Sequence, residues 1–427
     1  MNTIIKSKKN NKLGLDLISN YVSVIILGGS GLTINLLIAK YYDPEILGIF
    51  NQVVATYIVF SMLGSGGINY SMLRAVAANS ANQRKLTAII KGGIFLTLII
   101  SLLTTLIYAF LIPTISQIFK SDSVGIGMKM ICPGIFFFSL NKVMLHGVIN
   151  GLQLMKRYAF YQSLRYIIIL ISVVTCVLFS IDGKTLPVAF SISESILFVI
   201  LISQVSIRIK WLQNKKWLSW AKIHFIYSYK AFISGFLLES NTRIDILILG
   251  IFLNDKEVGI YSFAAFFAEG FTQLLYVIQN TYNPVLASMI SSNKLDQVLF
   301  IIKKLKKRIY ISALIFSTFV SLIFPKIIDL VTINREFQGS YIPFIILILG
   351  ITIASGYIPF NNILLMANLP GIQTKFIFMA VSSNIVMNFL LIPMLGLIGA
   401  SISTSIAFLC SVFLLRKFSY RYIGLKF

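Results

Sequence analysis

From Leu17 to Arg416 the chain alternates between long apolar runs and short polar punctuation. Each run is about 20 residues, the length a helix needs to cross a hydrocarbon core of about 30 Å. The pattern predicts about twelve helices, near 17–39, 46–65, 88–112, 125–147, 160–181, 186–206, 230–253, 260–282, 309–331, 341–366, 373–393 and 397–416. The connections between them are too short to form a separate soluble domain. The expected fold is an all-α integral membrane protein.

The runs divide into two sets of six. "DPEILGIFN" at Asp43–Asn51 resembles "NDKEVGIYS" at Asn254–Ser262, pairing Gly48 with Gly259 and Phe50 with Tyr261. Both follow the first helix of a half, and an even number of spans per half makes the halves parallel repeats. The expected organisation is a six-helix bundle over 1–207, a basic linker over 208–229 and a second six-helix bundle over 230–427. The linker carries Trp211, Trp217 and Trp220, which suits a segment lying in the membrane interface with its indoles at headgroup depth.

Composition agrees with a membrane chain: 57% of the 427 residues are hydrophobic and 12% charged, where soluble domains are about a quarter charged. The net charge of +23 raises nucleic-acid binding, but the cations sit in short segments between apolar runs rather than in an aromatic-interleaved patch. Their placement follows the positive-inside rule. Lys6, Lys8, Lys9, Lys12, Arg74, Arg84, Lys85, Lys156, Arg157, Arg208, Lys210, Lys215 and Lys216 mark one side, as do Lys303, Lys304, Lys306, Lys307, Arg308, Lys375, Arg416 and Lys417. The alternate segments hold few cations, such as Lys120, Lys184, Lys256 and Arg335, and most of the acids: Asp43, Glu45, Asp122, Asp182, Asp255, Glu257, Asp329 and Glu336. Both termini are therefore expected in the cytoplasm.

Little in the chain suggests catalysis. Cys132, Cys176 and Cys410 fall within apolar runs with no CxxC spacing. His146 and His224 have no carboxylate or thiol at ligand spacing, so no metal site is expected. "LGGSGL" at Leu27–Leu32 and "GSGG" at Gly64–Gly67 lack the GK[ST] ending of a phosphate loop. Close helix packing is the expected use of these glycines.

Charges inside spans are costly and mark functional positions by default. Glu239, Arg243 and Asp245 lie in the seventh predicted span, Glu269 in the eighth, Glu194 in the sixth, Arg165 in the fifth and Lys142 in the fourth. Lys142 and Arg165 lie nearer the cytoplasmic ends of their spans, where a long side chain can snorkel to the interface or line a lumen. In an unbroken helix Glu239 and Arg243, four apart, form an intrahelical ion pair, and Asp245 is rotated away from both.

"YYDPEILGIFNQ", "GSGGINYSMLRAVA", "RIDILILGIFLNDKEVGIYSFAAFFAEGF" and "LGLIGASISTSIAF" resemble the polysaccharide exporters of the superfamily that also contains multidrug exporters, above all the Wzx-type flippases of O-antigen or capsule repeat units. The resemblance implies two six-helix bundles that open alternately to the two sides of a bacterial inner membrane. It implies a substrate of undecaprenyl-diphosphate-linked oligosaccharide, turned from the inner to the outer leaflet for O-antigen, lipopolysaccharide or capsule synthesis. The partners it implies are that lipid, the surrounding membrane lipids, and polymerase and chain-length-regulator proteins, with no nucleic acid. On this reading Arg243 contacts the diphosphate, with Arg74, Arg165 and Lys142 assisting substrate binding. Glu239, Asp245, Glu269 and Glu194 serve as ion-pair partners or in proton or sodium coupling, with no organic cofactor and no metal centre. The excess of acids over bases at mid-span keeps a second reading open, a cation-coupled multidrug antiporter. A membrane glycosyltransferase or polymerase is a third, opposed by the short outward connections.

Overall fold

The computed structural model describes residues 2–207, 209, 216–332 and 336–426, with backbone alone for 2–21 and for 230, 231, 234 and 238. Of the basic and interfacial positions named above, Arg208, Lys210, Trp211, Lys215 and Arg335 lie outside the described residues. Every regular element among the described residues is helical.

The first elements are α1 (Asn2–Tyr41), α2 (Pro44–Ser65), α3 (Ile68–Ala78), α4 (Gln83–Ile118), α5 (Asp122–Lys142), α6 (Met155–Leu178) and α7 (Val188–Ser206). The chain continues with α8 (Trp217–Asn241), α9 (Ile244–Phe252), α10 (Asp255–Ser291), α11 (Leu295–Val331), α12 (Tyr341–Ala354), α13 (Ile363–Met366) and α14 (Pro370–Ile423). Nine of the described helices are long and apolar enough to cross a membrane, ten when the bent pair around Ser355–Tyr357 counts as one broken span. The 54-residue α14 is two helices merged across Gly396, whose φ of 57° and ψ of −130° are not helical. α14 covers the last two predicted runs, and α8 with α9 covers the seventh. The protein is a multi-pass membrane protein.

Local sequence sets many of the boundaries. The Ser121 side chain accepts from the Val124 backbone N–H to start α5, and Asn254 with Glu257 forms a reciprocal capping box at the start of α10. Gly66 and Gly67 take φ of 51° and 73°, left-handed values that end α2 and admit the turn into α3. At Gly64 a Cβ would strike the Ser139 side chain, so this glycine serves close packing as expected, whereas Gly28 and Gly29 have nothing within 4 Å. The basic stretch Lys294–Arg308, read from sequence as a connection, is largely the first turns of α11. Its Val298 and Ile302 are buried while Lys303 and Lys304 face out, so an amphipathic face extends the helix beyond the membrane-length run.

The chain divides into two compact units, Met1–Tyr41 with Val53–Glu239, and Tyr42–Gln52 with Ser240–Phe427. In the first, α1 packs on α6, α4 on α5, and α5 on α7, while α3 lies against a π-helical turn at Val143–Ile149. Its core includes Ile68, Met72, Val148 and Leu201. In the second, α14 packs on α12 and α9, and α10 on α12. Aromatic rings fill its interior: Phe324 stacks on Phe344 at 3.9 Å and Phe263 meets Phe337 at 4.9 Å. Phe110, Leu178, Phe319 and Leu330 are exposed on their helices, as side chains facing lipid would be.

The two copies of the short repeat meet within the second unit. A Cβ on Gly48 would overlap the Asp255 carbonyl, and one on Gly259 would overlap the Pro44 carbonyl. Each glycine thus lies against the first turn of the other's helix.

Candidate functional site

The seventh predicted span does not run straight. α8 ends at Asn241, and Arg243 stands as the N-cap of α9 with φ −123° and ψ −3°. Arg243 pairs with Glu269 of α10, Nη1 to Oε2 at 3.9 Å, with both side chains partly exposed. At that length the pair is a loose one, and the Arg243 Nε has no hydrogen-bond partner. Glu239, at the end of the first unit, lines a cavity there.

Asp245 occupies the first turn of α9, where a carboxylate suits the helix dipole. Its Oδ1 accepts from Asn388 Nδ2 at 2.7 Å and from Asn384 Nδ2 at 3.1 Å. Its Oδ2 accepts from Thr404 Oγ1 at 2.7 Å and from the Tyr261 hydroxyl at 3.3 Å. None of these donors is charged, and among the described residues no ion pair reaches Asp245. The carboxylate and its neighbours Arg243 and Glu269 border a cavity of about 40 Å³, enough for ordered water or a small cation. The Asn388 Oδ1 is buried without a partner beside it.

The first unit gathers the other intramembrane charges. Arg165 Nε meets Glu194 Oε1 at 2.8 Å, and both side chains are buried. Glu194 also accepts from Asn141 Nδ2 at 2.8 Å and from the Tyr57 hydroxyl at 3.5 Å. The Arg165 guanidinium lies over the Phe138 ring at 4.9 Å. Arg165 is therefore committed to a buried pair and does not snorkel, because Glu194 of α7 offers a partner inside the protein. Lys142 places Nζ 2.7 Å from Met62 Sδ and lines the same cavity as Arg165 and Glu239, a space of about 310 Å³. Arg74 is exposed on α3, its guanidinium 5.4 Å from the Tyr227 ring.

The structure thus brings together Arg243, Asp245 and Glu269 in one unit, and Lys142, Arg165, Glu194 and Glu239 in the other; Arg74 joins neither group. Sequence reasoning singled out these charges but missed Asn384, Asn388, Thr404, Asn141 and Tyr57. The spacing of Asn384 and Asn388 was a usable signal, since two amides four apart in an apolar span share one helix face. Among the described residues no cluster of three His, Cys, Asp or Glu could hold a metal ion.

The sequence profile of the family described as "Polysaccharide biosynthesis protein" matches residues 15–290. The chain belongs to that family. Comparison with curated protein sequences finds no match. Among solved structures, this family member is similar to the lipid II flippase MurJ in an inward closed conformation. That likeness has a TM-score of 0.73 at 18% identity and covers 94% of this chain and 86% of that one. It is also similar to an inward-facing multidrug resistance MATE transporter of the MOP superfamily, with TM-score 0.73, 12% identity and coverage of 95% and 98%. The Vibrio cholerae MATE transporter VcmN matches with TM-score 0.63, 13% identity and coverage of 97% and 98%. At these identities the likeness is one of fold. Family and fold bear out the resemblance read from the sequence.

Proposed function

We propose that this protein is a flippase that carries an undecaprenyl-diphosphate-linked oligosaccharide from the inner to the outer leaflet of a bacterial inner membrane. The observation that carries the reading is Arg243. It is a cation within a membrane span, loosely paired at 3.9 Å and with its Nε free of partners, in a member of a polysaccharide biosynthesis family. A diphosphate–sugar headgroup cannot cross hydrocarbon unaided, because stripping its charges and hydroxyls of water costs several kcal/mol or more per group. A planar guanidinium replaces part of that hydration with a bidentate contact while the polyprenyl tail stays in lipid. Exchange of Glu269 for the diphosphate leaves Arg243 compensated before and after binding. Arg74 captures the headgroup at the cytoplasmic entry, and Lys142 and Arg165 offer donors to its sugar hydroxyls further in. The protein binds and releases its substrate unchanged, for the synthesis of O-antigen, capsule or a related surface glycan.

Coupling falls to Asp245. Four neutral donors hold its carboxylate without a cation, so a proton or sodium ion arriving in the adjoining cavity changes the charge of the whole cluster. Asp245 and Glu269 also support the second reading, a cation-coupled drug exporter, since a cationic drug would meet these acids. The MATE neighbours share the fold.

Complementation of a flippase-deleted strain separates the two. Arg243→Ala is expected to abolish surface glycan and accumulate lipid-linked repeat units while the protein remains in the membrane. Arg243→Lys is expected to restore only part, lacking the bidentate fork. Normal glycan with the alanine variant, together with raised drug sensitivity, would shift the assignment to the exporter.

A further inference from the structure

The first-unit cavity of about 310 Å³ falls within the size range of small-ligand pockets, about 300–1,000 Å³. Its lining differs in kind from the surroundings of Arg243. Tyr70, His146 and Tyr158 form a row of edge-to-face rings, with centroid separations of 6.1 and 6.0 Å. Phe138 lies on the same wall, beneath Arg165. Gln162 donates to the Tyr158 hydroxyl at 2.8 Å, which fixes that ring. His146 sits in the π-helical turn Val143–Ile149, a conformation rare in proteins and concentrated at functional positions.

Several polar groups are buried in this wall. The side-chain amide of Asn69 is buried beside the Tyr70 hydroxyl, and the residue is only 1% exposed. The Arg165 Nη2 and the His146 Nδ1 are buried and unbonded. Native proteins leave few such groups, because each is costly unless a ligand or water satisfies it. The charges around the cavity balance. Arg165 is already neutralised by Glu194 at 2.8 Å, and Lys142 shares the lining with Glu239. A diphosphate entering here would meet a carboxylate and gain no free guanidinium pair. A sugar ring would gain aromatic faces for its C–H groups and both donors and acceptors for its hydroxyls.

We infer that this cavity is a carbohydrate subsite, taking a neutral sugar ring of the lipid-linked glycan, distinct from the Arg243 centre that meets the diphosphate. The inference rests on the flippase reading for the origin of the sugar, while the recognition itself rests on the cavity alone. Asn69 and Tyr158 are then specificity residues. A hydroxyl that pairs with Asn69 is accepted, and a sugar that leaves the amide unpaired is rejected.

The test uses the full chain in nanodiscs, with Cys132, Cys176 and Cys410 replaced by Ala and Leu27→Cys, at another cavity-lining position, as reporter. Maleimide labelling of the reporter is followed with methyl glycosides of hexoses, 6-deoxyhexoses and N-acetylhexosamines, and with inorganic pyrophosphate. At least one neutral glycoside is expected to slow labelling by about tenfold, with no effect of pyrophosphate. Asn69→Leu and Tyr158→Ala are expected to raise the half-protecting concentration by about tenfold, while Tyr158→Phe, which keeps the ring, preserves protection. Absence of protection by every glycoside, equal protection by pyrophosphate, or protection unchanged in both Asn69→Leu and Tyr158→Ala would overturn the inference. Glycoside protection alongside normal surface glycan in Arg243→Ala cells would overturn the flippase reading and leave the subsite standing. Loss of glycan in those cells without protection would overturn the subsite alone.

Discussion

Asp245 and Arg165 show two ways of keeping a charge inside a membrane protein, and the two respond differently to substitution. The Asp245 carboxylate is surrounded by neutral donors, two amides on Oδ1 and two hydroxyls on Oδ2. Asn fits this cage, because its amide nitrogen can take the Oδ2 position, where rotatable hydroxyls of Thr404 and Tyr261 turn to accept. Asp245→Asn is therefore expected to cost no more than about 1–2 kcal/mol in thermal unfolding. It is also expected to abolish the dependence of transport on proton or sodium gradient in proteoliposomes. Arg165 and Glu194 instead depend on each other at 2.8 Å. Arg165→Met leaves a buried carboxylate uncompensated and is expected to destabilise by about 3–5 kcal/mol, and Arg165→Met with Glu194→Met is expected to recover most of that. Thermal unfolding of the single and double variants in detergent gives both values.

Close approach and the interruption of helices govern the next scale. The contact between α2 and α10 exists because neither Gly48 nor Gly259 has a Cβ to meet the opposing carbonyl. Gly48→Ala or Gly259→Ala forces that crossing apart and is expected to cost about 1–3 kcal/mol. The double variant is expected to cost less than the sum, because the first methyl already separates the helices. Thermal unfolding of the three variants checks it. At the start of α8, ahead of the predicted span, His224 fastens this helix to α3 and α4. Its Nε2 donates to the Ile89 carbonyl at 3.1 Å, and its Nδ1 accepts from the Ser71 hydroxyl at 2.7 Å. Both nitrogens are engaged in the neutral ring, and burial pushes its pKa down to about 4. An unfolded histidine titrates near 6.5, so the folded arrangement binds fewer protons between these values. The stabilisation is complete above about pH 6.5 and is lost as the pH falls through about 4. Trp217 and Trp220 flank this contact, and tryptophan fluorescence is expected to change over that window in the native chain and not in His224→Gln.

Across the whole molecule, the alternation of basic and acidic connections predicts that both termini face the cytoplasm. A green fluorescent protein fused at the C-terminus is expected to fluoresce, and alkaline phosphatase fused after Lys120 is expected to be active. The reverse pattern would invert the transport direction proposed here. The span pattern was legible from sequence because it depends on length and apolarity, and even the breaks carry local marks, glycines at 66, 67 and 396 with positive φ. The break at Asn241–Arg243 carries no glycine or proline, and the pairing of Arg243 with Glu269 of α10 left no mark in the sequence.

Membrane residence, the succession of spans and the presence of charges within them follow from the sequence alone, because transfer into hydrocarbon is a free energy that each residue contributes locally. Which group each charge meets is decided by tertiary structure. Asp245 draws its donors from residues 16 to 159 positions away, and Arg165 finds Glu194 on another helix. Such choices depend on helix rotation and on where a helix breaks. A difference of one residue in either turns a side chain by about 100° and gives it another partner.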